Sequence, residues 1–236
     1  MKKIIWIDDD MGKMTLLAEY LFPILWGKNY INHIIFAGNH YAKDGPSLSR
    51  NKRAEKEFNN DMSSYFENFC RKNIDGKYNT PMKVWNYKDY LYPHWDNFEE
   101  HEKDIEEKIK RKIEEIIDEN TFIGIDLCLN TKDDEPEDDE SEDETLAMKL
   151  FYSYLIEQNK KNIFLYSNFI NEKAEKEEWI KKFLVYHNKK KRPNEQLKDK
   201  IIVYSGYELA KETPGEDLNR FLEFLESGSI NGAKYK

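Results

Sequence analysis

Three consecutive aspartates, Asp8, Asp9 and Asp10, follow the apolar run Ile4 to Ile7. Farther along, Asp126 closes the run Thr121 to Ile125, Ser167 closes Asn162 to Tyr166, and Lys211 follows shortly after Ile201 to Tyr204. Taken singly, each has an ordinary explanation. An Asp after a strand usually caps the next helix, and a lone Ser or Lys carries no signal. Gathered at one rim they mean more, because like charges a few ångströms apart must take up a proton or recruit a cation. Hard oxygen donors suit Mg²⁺, which takes one or two carboxylates and keeps several waters. A hydroxyl and an ammonium complete what a phosphoryl group requires, a metal on one oxygen and donors on the others. One of the carboxylates is then a candidate nucleophile that forms an acyl phosphate.

The elements that must position these residues are legible as alternating patterns. Ile4 to Ile7, His33 to Ala37, Thr121 to Ile125, Asn162 to Tyr166 and Ile201 to Tyr204 are near-continuous apolar runs. Strands buried on both faces of a parallel sheet look like this. Between them lie helical periods. Met14, Leu17, Ala18, Leu21, Ile24 and Leu25 recur at intervals of three and four, with Pro23 expected to kink or shorten the helix. From Phe98 to Asp118, Ile105, Ile109, Ile113 and Ile116 form one stripe, flanked by Glu106–Lys110 and Glu107–Arg111 at supportive spacing. Leu146 to Glu157, Glu172 to Val185 and Asp217 to Leu225 supply the remaining helices. The βα alternation predicts an α/β fold, an open, doubly wound parallel sheet. Ligands of such sheets bind beyond the carboxyl ends of the strands, where the candidate residues stand.

An excursion over about residues 39–96 interrupts the alternation. It is expected to hold a helix from about Lys52 to Arg71 and an edge strand at Met82 to Trp85, followed by the aromatics Tyr87, Tyr90, Tyr92 and Trp95. The expectation is an insertion packed on a single domain that covers 1–236. A second feature, the loop 131–144, is acidic at every position from Asp133 to Glu144 except Pro136 and Ser141, and reads as a solvated, disordered loop.

Composition narrows the function classes. The 236 residues are 39% hydrophobic, 35% charged and 14% aromatic, enough apolar and aromatic content for a packed core. A net charge of -9 argues against nucleic acid or an anionic membrane as the main partner. The basic run Lys189 to Arg192 reads as a solvated turn before Pro193. Cys70 and Cys128, the two cysteines, lack metal-type spacing and suggest reduced thiols. No segment is long enough to span a bilayer, so the expected location is the cytoplasm. The five histidines are scattered without an i,i+4 pair, and no Walker-type phosphate loop occurs.

With these residues in hand, the chain resembles the receiver domains of response regulators, the CheY-like fold. Lys3 to Asp10 resembles their opening strand and acidic pair. Phe122-Ile123-Gly124-Ile125-Asp126-Leu127 resembles the strand that presents their phosphoacceptor, and Ile163 to Ser167 the strand that ends in their Ser/Thr switch residue. The resemblance covers roughly residues 2–38, 98–130 and 145–228. It implies that Asp8 and Asp9 hold Mg²⁺ and that Asp126, also a metal ligand, accepts a phosphoryl group from a histidine kinase. It further implies that the Cys128 carbonyl completes the metal's protein ligands, that Ser167 hydrogen-bonds the phosphoryl group, and that Lys211 pairs with it. The chain departs from the pattern at Lys211, which Ser205 to Ala210 separate from the strand ending at Tyr204, and at Asn130, where a proline is common.

The implied function is a stand-alone receiver in two-component signal transduction, a phosphoprotein that signals by contact with a downstream protein partner. Its chemistry would be limited to self-phosphorylation and self-dephosphorylation. Two alternatives stay open: a degenerate receiver that binds its partner without phosphorylation, and a haloacid-dehalogenase-type phosphatase using Asp8 and Asp10. The phosphatase pattern places its last acidic motif after the Ser/Thr strand, whereas Asp126 precedes Ser167. In a third class, a pure interaction module, the carboxylates are incidental caps.

Overall fold

The computed structural model describes residues 2–8, 11–37, 82–86, 98–127, 129, 146–154, 162–167, 173–189, 201–211 and 215–227. Parallel strands alternate with helices, an α/β fold. Contacts group the chain into two compact units, Met1–Thr121 and Phe122–Lys236.

In the first unit β1 (Lys2–Asp8) pairs in parallel with β2 (Tyr30–Phe36), Lys2 opposite Tyr30 and Asp8 opposite Phe36. β2 pairs in parallel with β3 (Met82–Asn86), so Asp8, Phe36 and Asn86 close three neighbouring strands at one level. The expected edge strand therefore exists and lengthens by one residue, to Asn86. β2 begins three residues earlier than its apolar run. The interrupting Asn32 is wholly buried, and its side-chain oxygen accepts a hydrogen bond from the Trp6 indole at 2.9 Å. A polar residue thus belongs to the core strand because it satisfies the buried Trp6 N–H.

The helix after β1 is divided at Pro23. α1 (Met11–Tyr20) ends, Leu21 turns, and α2 (Phe22–Gly27) restarts with the proline in its first turn. There a missing N–H costs nothing and the fixed φ suits a helix start. Asn29, with φ 64°, makes the left-handed turn into β2. Met14, Leu17, Ala18, Leu21, Phe22 and Leu25 are buried, and Phe22 packs against Trp6 at 5.7 Å between ring centroids. α3 (Phe98–Ile116) buries Ile109, Ile113 and Ile116, and carries the expected ion pairs Glu106–Lys110 and Glu107–Arg111.

In the second unit β4 (Thr121–Asp126) pairs in parallel with β5 (Ile163–Ser167), and β5 with β6 (Val203–Ser205). α4 (Leu146–Tyr152), α5 (Lys173–Lys189), the short α6 (Gly206–Leu209) and α7 (Glu216–Ser227) are its helices. Ser153 and Tyr154 continue α4 with wider helical winding, and residues 155–157 of the predicted helix lie outside the described residues.

Aromatic rings fill this unit's core. Phe164 lies 5.0 Å from Phe221, 6.0 Å from Tyr204 and 6.1 Å from Phe224, all edge-on. Gly124 in β4 makes room for Phe164, since a β-carbon there would stand 2.5 Å from the tip of that ring.

The helix expected over about 52–71, the aromatic cluster Tyr87 to Trp95 and the acidic loop 131–144 lie outside the described residues.

Candidate functional site

The first unit brings Asp8 to the carboxyl end of β1, wholly buried. Its partner is one the sequence did not single out. The Lys13 ammonium lies 3.5 Å from Asp8 Oδ1, and the two side chains are 2% and 0% exposed. Lys13 is the third residue of α1 and belongs to its buried face, four residues before Leu17 and eight before Leu21. Its membership of that i, i+4, i+8 stripe was the available signal, since a lysine on an otherwise apolar stripe needs an internal partner. Asp9 and Asp10 lie outside the described residues.

The second unit places Asp126, Ser167 and Ser205 at the carboxyl ends of three adjacent strands, each wholly buried. Asp126 stands opposite Tyr166, and Ser167 opposite Ser205. The Leu127 N–H donates to the Tyr166 carbonyl at 3.0 Å, carrying the β4–β5 ladder one step past Asp126. Asp126 and Ser167 are thus brought to neighbouring strand ends, as their places in the apolar runs implied. Cys128 lies outside the described residues.

Lys211 has a different setting. The strand-end position beside Ser167 belongs to Ser205, whose hydroxyl accepts the Glu208 N–H at 3.2 Å and caps α6. This one-turn helix separates β6 from Lys211. The Lys211 ammonium bonds to the Glu208 carboxylate and sits over the Tyr207 ring, 4.8 Å from its centroid. The hydrogen bond that Lys211 donates to the Glu208 carboxylate holds its pKa above the ordinary lysine value. Gly215 leaves space for this carboxylate, because a β-carbon there would stand 2.7 Å from Glu208 Oε2.

A further buried acid is Asp217, which the sequence marks only as the start of the last helix. It lies in the first turn of α7 and accepts both the Ser205 backbone N–H, at 3.0 Å, and the Lys176 ammonium from α5. One carboxylate therefore ties α5, the end of β6 and α7 together. Hydrogen bonds to a charged group contribute about 1.5–3 kcal/mol each, and the N-terminal turn of a helix favours an acid. Asp217 is a structural tie that fixes the strand end carrying Ser205.

Among the described residues, no group of three or more His, Cys, Asp or Glu side chains gathers as a metal cage. Mg²⁺ requires less, one or two carboxylates with water filling the other positions. Taken unit by unit, Asp8 in the first and Asp126 in the second are each a buried, hard oxygen donor at a strand end, the donor type that this ion takes.

No protein-family model, curated protein or solved structure matches this chain. Among the described residues, no helix is long and apolar enough to cross a membrane.

Proposed function

We propose that this chain is a receiver-like signalling protein whose Asp126 accepts a phosphoryl group. The observation that carries the reading is the placement of Asp126 and Ser167, wholly buried, at the carboxyl ends of neighbouring parallel strands. An aspartate nucleophile and a hydroxyl donor are thereby held on rigid elements rather than on loops. The order β4-β5-β6 in one unit, and β2 beside β1 in the other, agrees with a receiver-like open sheet taken half by half. β3 then adds a strand beyond β2, from the inserted segment.

In this reading an Asp126 oxygen attacks the phosphorus of an acyl phosphate or a phosphohistidine, and the donor's carboxylate or imidazole leaves. The Ser167 hydroxyl donates to a phosphoryl oxygen. Asp8, Asp9, Asp126 and the Cys128 carbonyl are the candidate Mg²⁺ ligands, and the bound ion would supply charge neutralisation on the transferred group. Lys211 must leave Glu208 to pair with the new dianion, a movement that would couple phosphorylation to α6. The partners are a histidine kinase or other phosphodonor and a downstream protein, in the cytoplasm.

Incubation with Mg²⁺ and acetyl phosphate, followed by intact mass, tests the assignment. The expected result is a single phosphate adduct that is lost in Asp126→Ala and retained in Ser167→Ala. An adduct that survives Asp126→Ala would sink it. The engagement of Lys211 by Glu208 favours a second reading, a degenerate receiver that binds its partner without phosphorylation. That reading gains if Asp126 takes no phosphate while the protein still binds Mg²⁺.

A further inference from the structure

An internal ion pair occupies the carboxyl end of β1, where the reading above places a divalent ion. The Lys13 ammonium is buried, and a lysine ammonium is strongly hydrated, so its removal from water carries a large desolvation penalty. The backbone does not offset this. Lys13 lies in the first turn of α1, the positive end of the helix, which disfavours a cation, and no acidic residue lies in that turn. Asp8, equally buried, supplies the opposing charge at 3.5 Å. That separation exceeds the usual 2.7–2.9 Å or so of a charge-assisted N–H···O contact, so it is a loose contact that a competing cation can replace.

We propose that Lys13 is a built-in counter-cation at Asp8, which a divalent ion must displace, so that Lys13 sets the cation concentration at which the site loads. The inference rests on the reading of Asp8 as a metal ligand and adds its regulation. Without the ion, the ammonium neutralises Asp8 and permits a buried carboxylate there. With the ion bound, the flexible lysine stem swings its charge away from the strand end. Like-charge repulsion between ammonium and metal makes the two states exclusive.

Mn²⁺ alone is the probe, titrated by electron paramagnetic resonance of the free ion into wild type, Lys13→Gln and Asp8→Asn, each checked for folding by circular dichroism. Glutamine keeps a donor toward Asp8 and removes the charge. Lys13→Gln is expected to bind Mn²⁺ about tenfold tighter or more, and Asp8→Asn to lose binding. A second measurement uses the wild-type protein, so it stands even if Lys13→Gln fails to fold. Acetic anhydride labelling of Lys13, read by peptide mass with exposed Lys28 as internal control, should rise with Mn²⁺ along the binding curve.

Equal Mn²⁺ affinity in wild type and Lys13→Gln, or Lys13 labelling that stays flat while Mn²⁺ binds, overturns the inference and leaves the metal reading standing. Absence of Mn²⁺ binding in both wild type and Lys13→Gln overturns the inference and the metal reading together.

Discussion

At the scale of single residues, the Asp118 carboxylate gathers three donors. It accepts from the Lys3 ammonium at 2.6 Å, the Thr121 hydroxyl at 2.8 Å and the Asn120 N–H at 2.9 Å. Its own N–H donates to Thr121 Oγ1. Lys3, which also donates to the Ile116 carbonyl, is the main reason its pKa lies below the ordinary carboxylate value. A depressed folded pKa contributes stability that is present above the unfolded value and is lost as pH falls through the folded one. Asp118→Asn should therefore lower the urea midpoint at neutral pH, with the gap to wild type closing as the solution is acidified. The side chain is 40% exposed, so solvent screening keeps the ion pair's share within about 1 kcal/mol. A gap that persists unchanged at low pH would show that the ionised form is not what Lys3 holds. Lys211 has the opposite sign. Its raised pKa makes the contact with Glu208 a contribution that is complete below the ordinary lysine value and is lost as pH rises through the folded one.

At the scale of elements, β4 and β5 are matched to each other through Gly124 and Phe164. The Phe164 ring fills the space a β-carbon would take and is itself held by Phe221, Phe224 and Tyr204, so it has little room to retreat. Gly124→Ala sets two effects against each other. Reduced freedom of the unfolded chain favours the variant by about 0.4–1 kcal/mol, whereas overpacking a filled core costs about 1–3 kcal/mol. The second should win, lowering the urea midpoint with an unchanged m-value. A midpoint at or above wild type would mean that the aromatic cluster can yield. Because Asp126 stands two residues beyond Gly124 on the same strand, phosphate uptake by the variant also tests how closely the strand end depends on this packing.

At the scale of the whole molecule, the net charge of -9 acts on any small anion that approaches. Under the proposed function, the rate of labelling by acetyl phosphate should rise with ionic strength from about 0.01 M to 0.15 M, where the Debye length falls from about 30 Å to about 8 Å. Rates measured by intact mass at saturating Mg²⁺ separate this effect from ion loading. A rate that falls with salt would point to a local positive field at the acceptor instead.

The sequence by itself determined the α/β class and the strand ends that present Asp8, Asp126 and Ser167. Strands buried on both faces must be written as continuous apolar runs, and the residue closing each run stands at its carboxyl end. It also showed the break at Pro23 and the ion-pair spacing along α3, because backbone geometry and helical period are local properties. It could not show that Lys13 meets Asp8, that Asp217 meets Ser205 and Lys176, or that Lys211 turns to Glu208. Lys13 is charged but belongs to a buried stripe, and only packing reveals which carboxylate offsets its desolvation. Asp217 looked like a helix start because its two partners come from β6 and α5, one of them far away in sequence. Lys211 is separated from β6 by four helical residues whose turn is closed by Ser205 capping, a detail that composition does not carry. Local pattern chose the strands and their closing residues. The tertiary structure decided which charges face one another, because the cost of burying a charge is met by whichever partner the fold brings within reach.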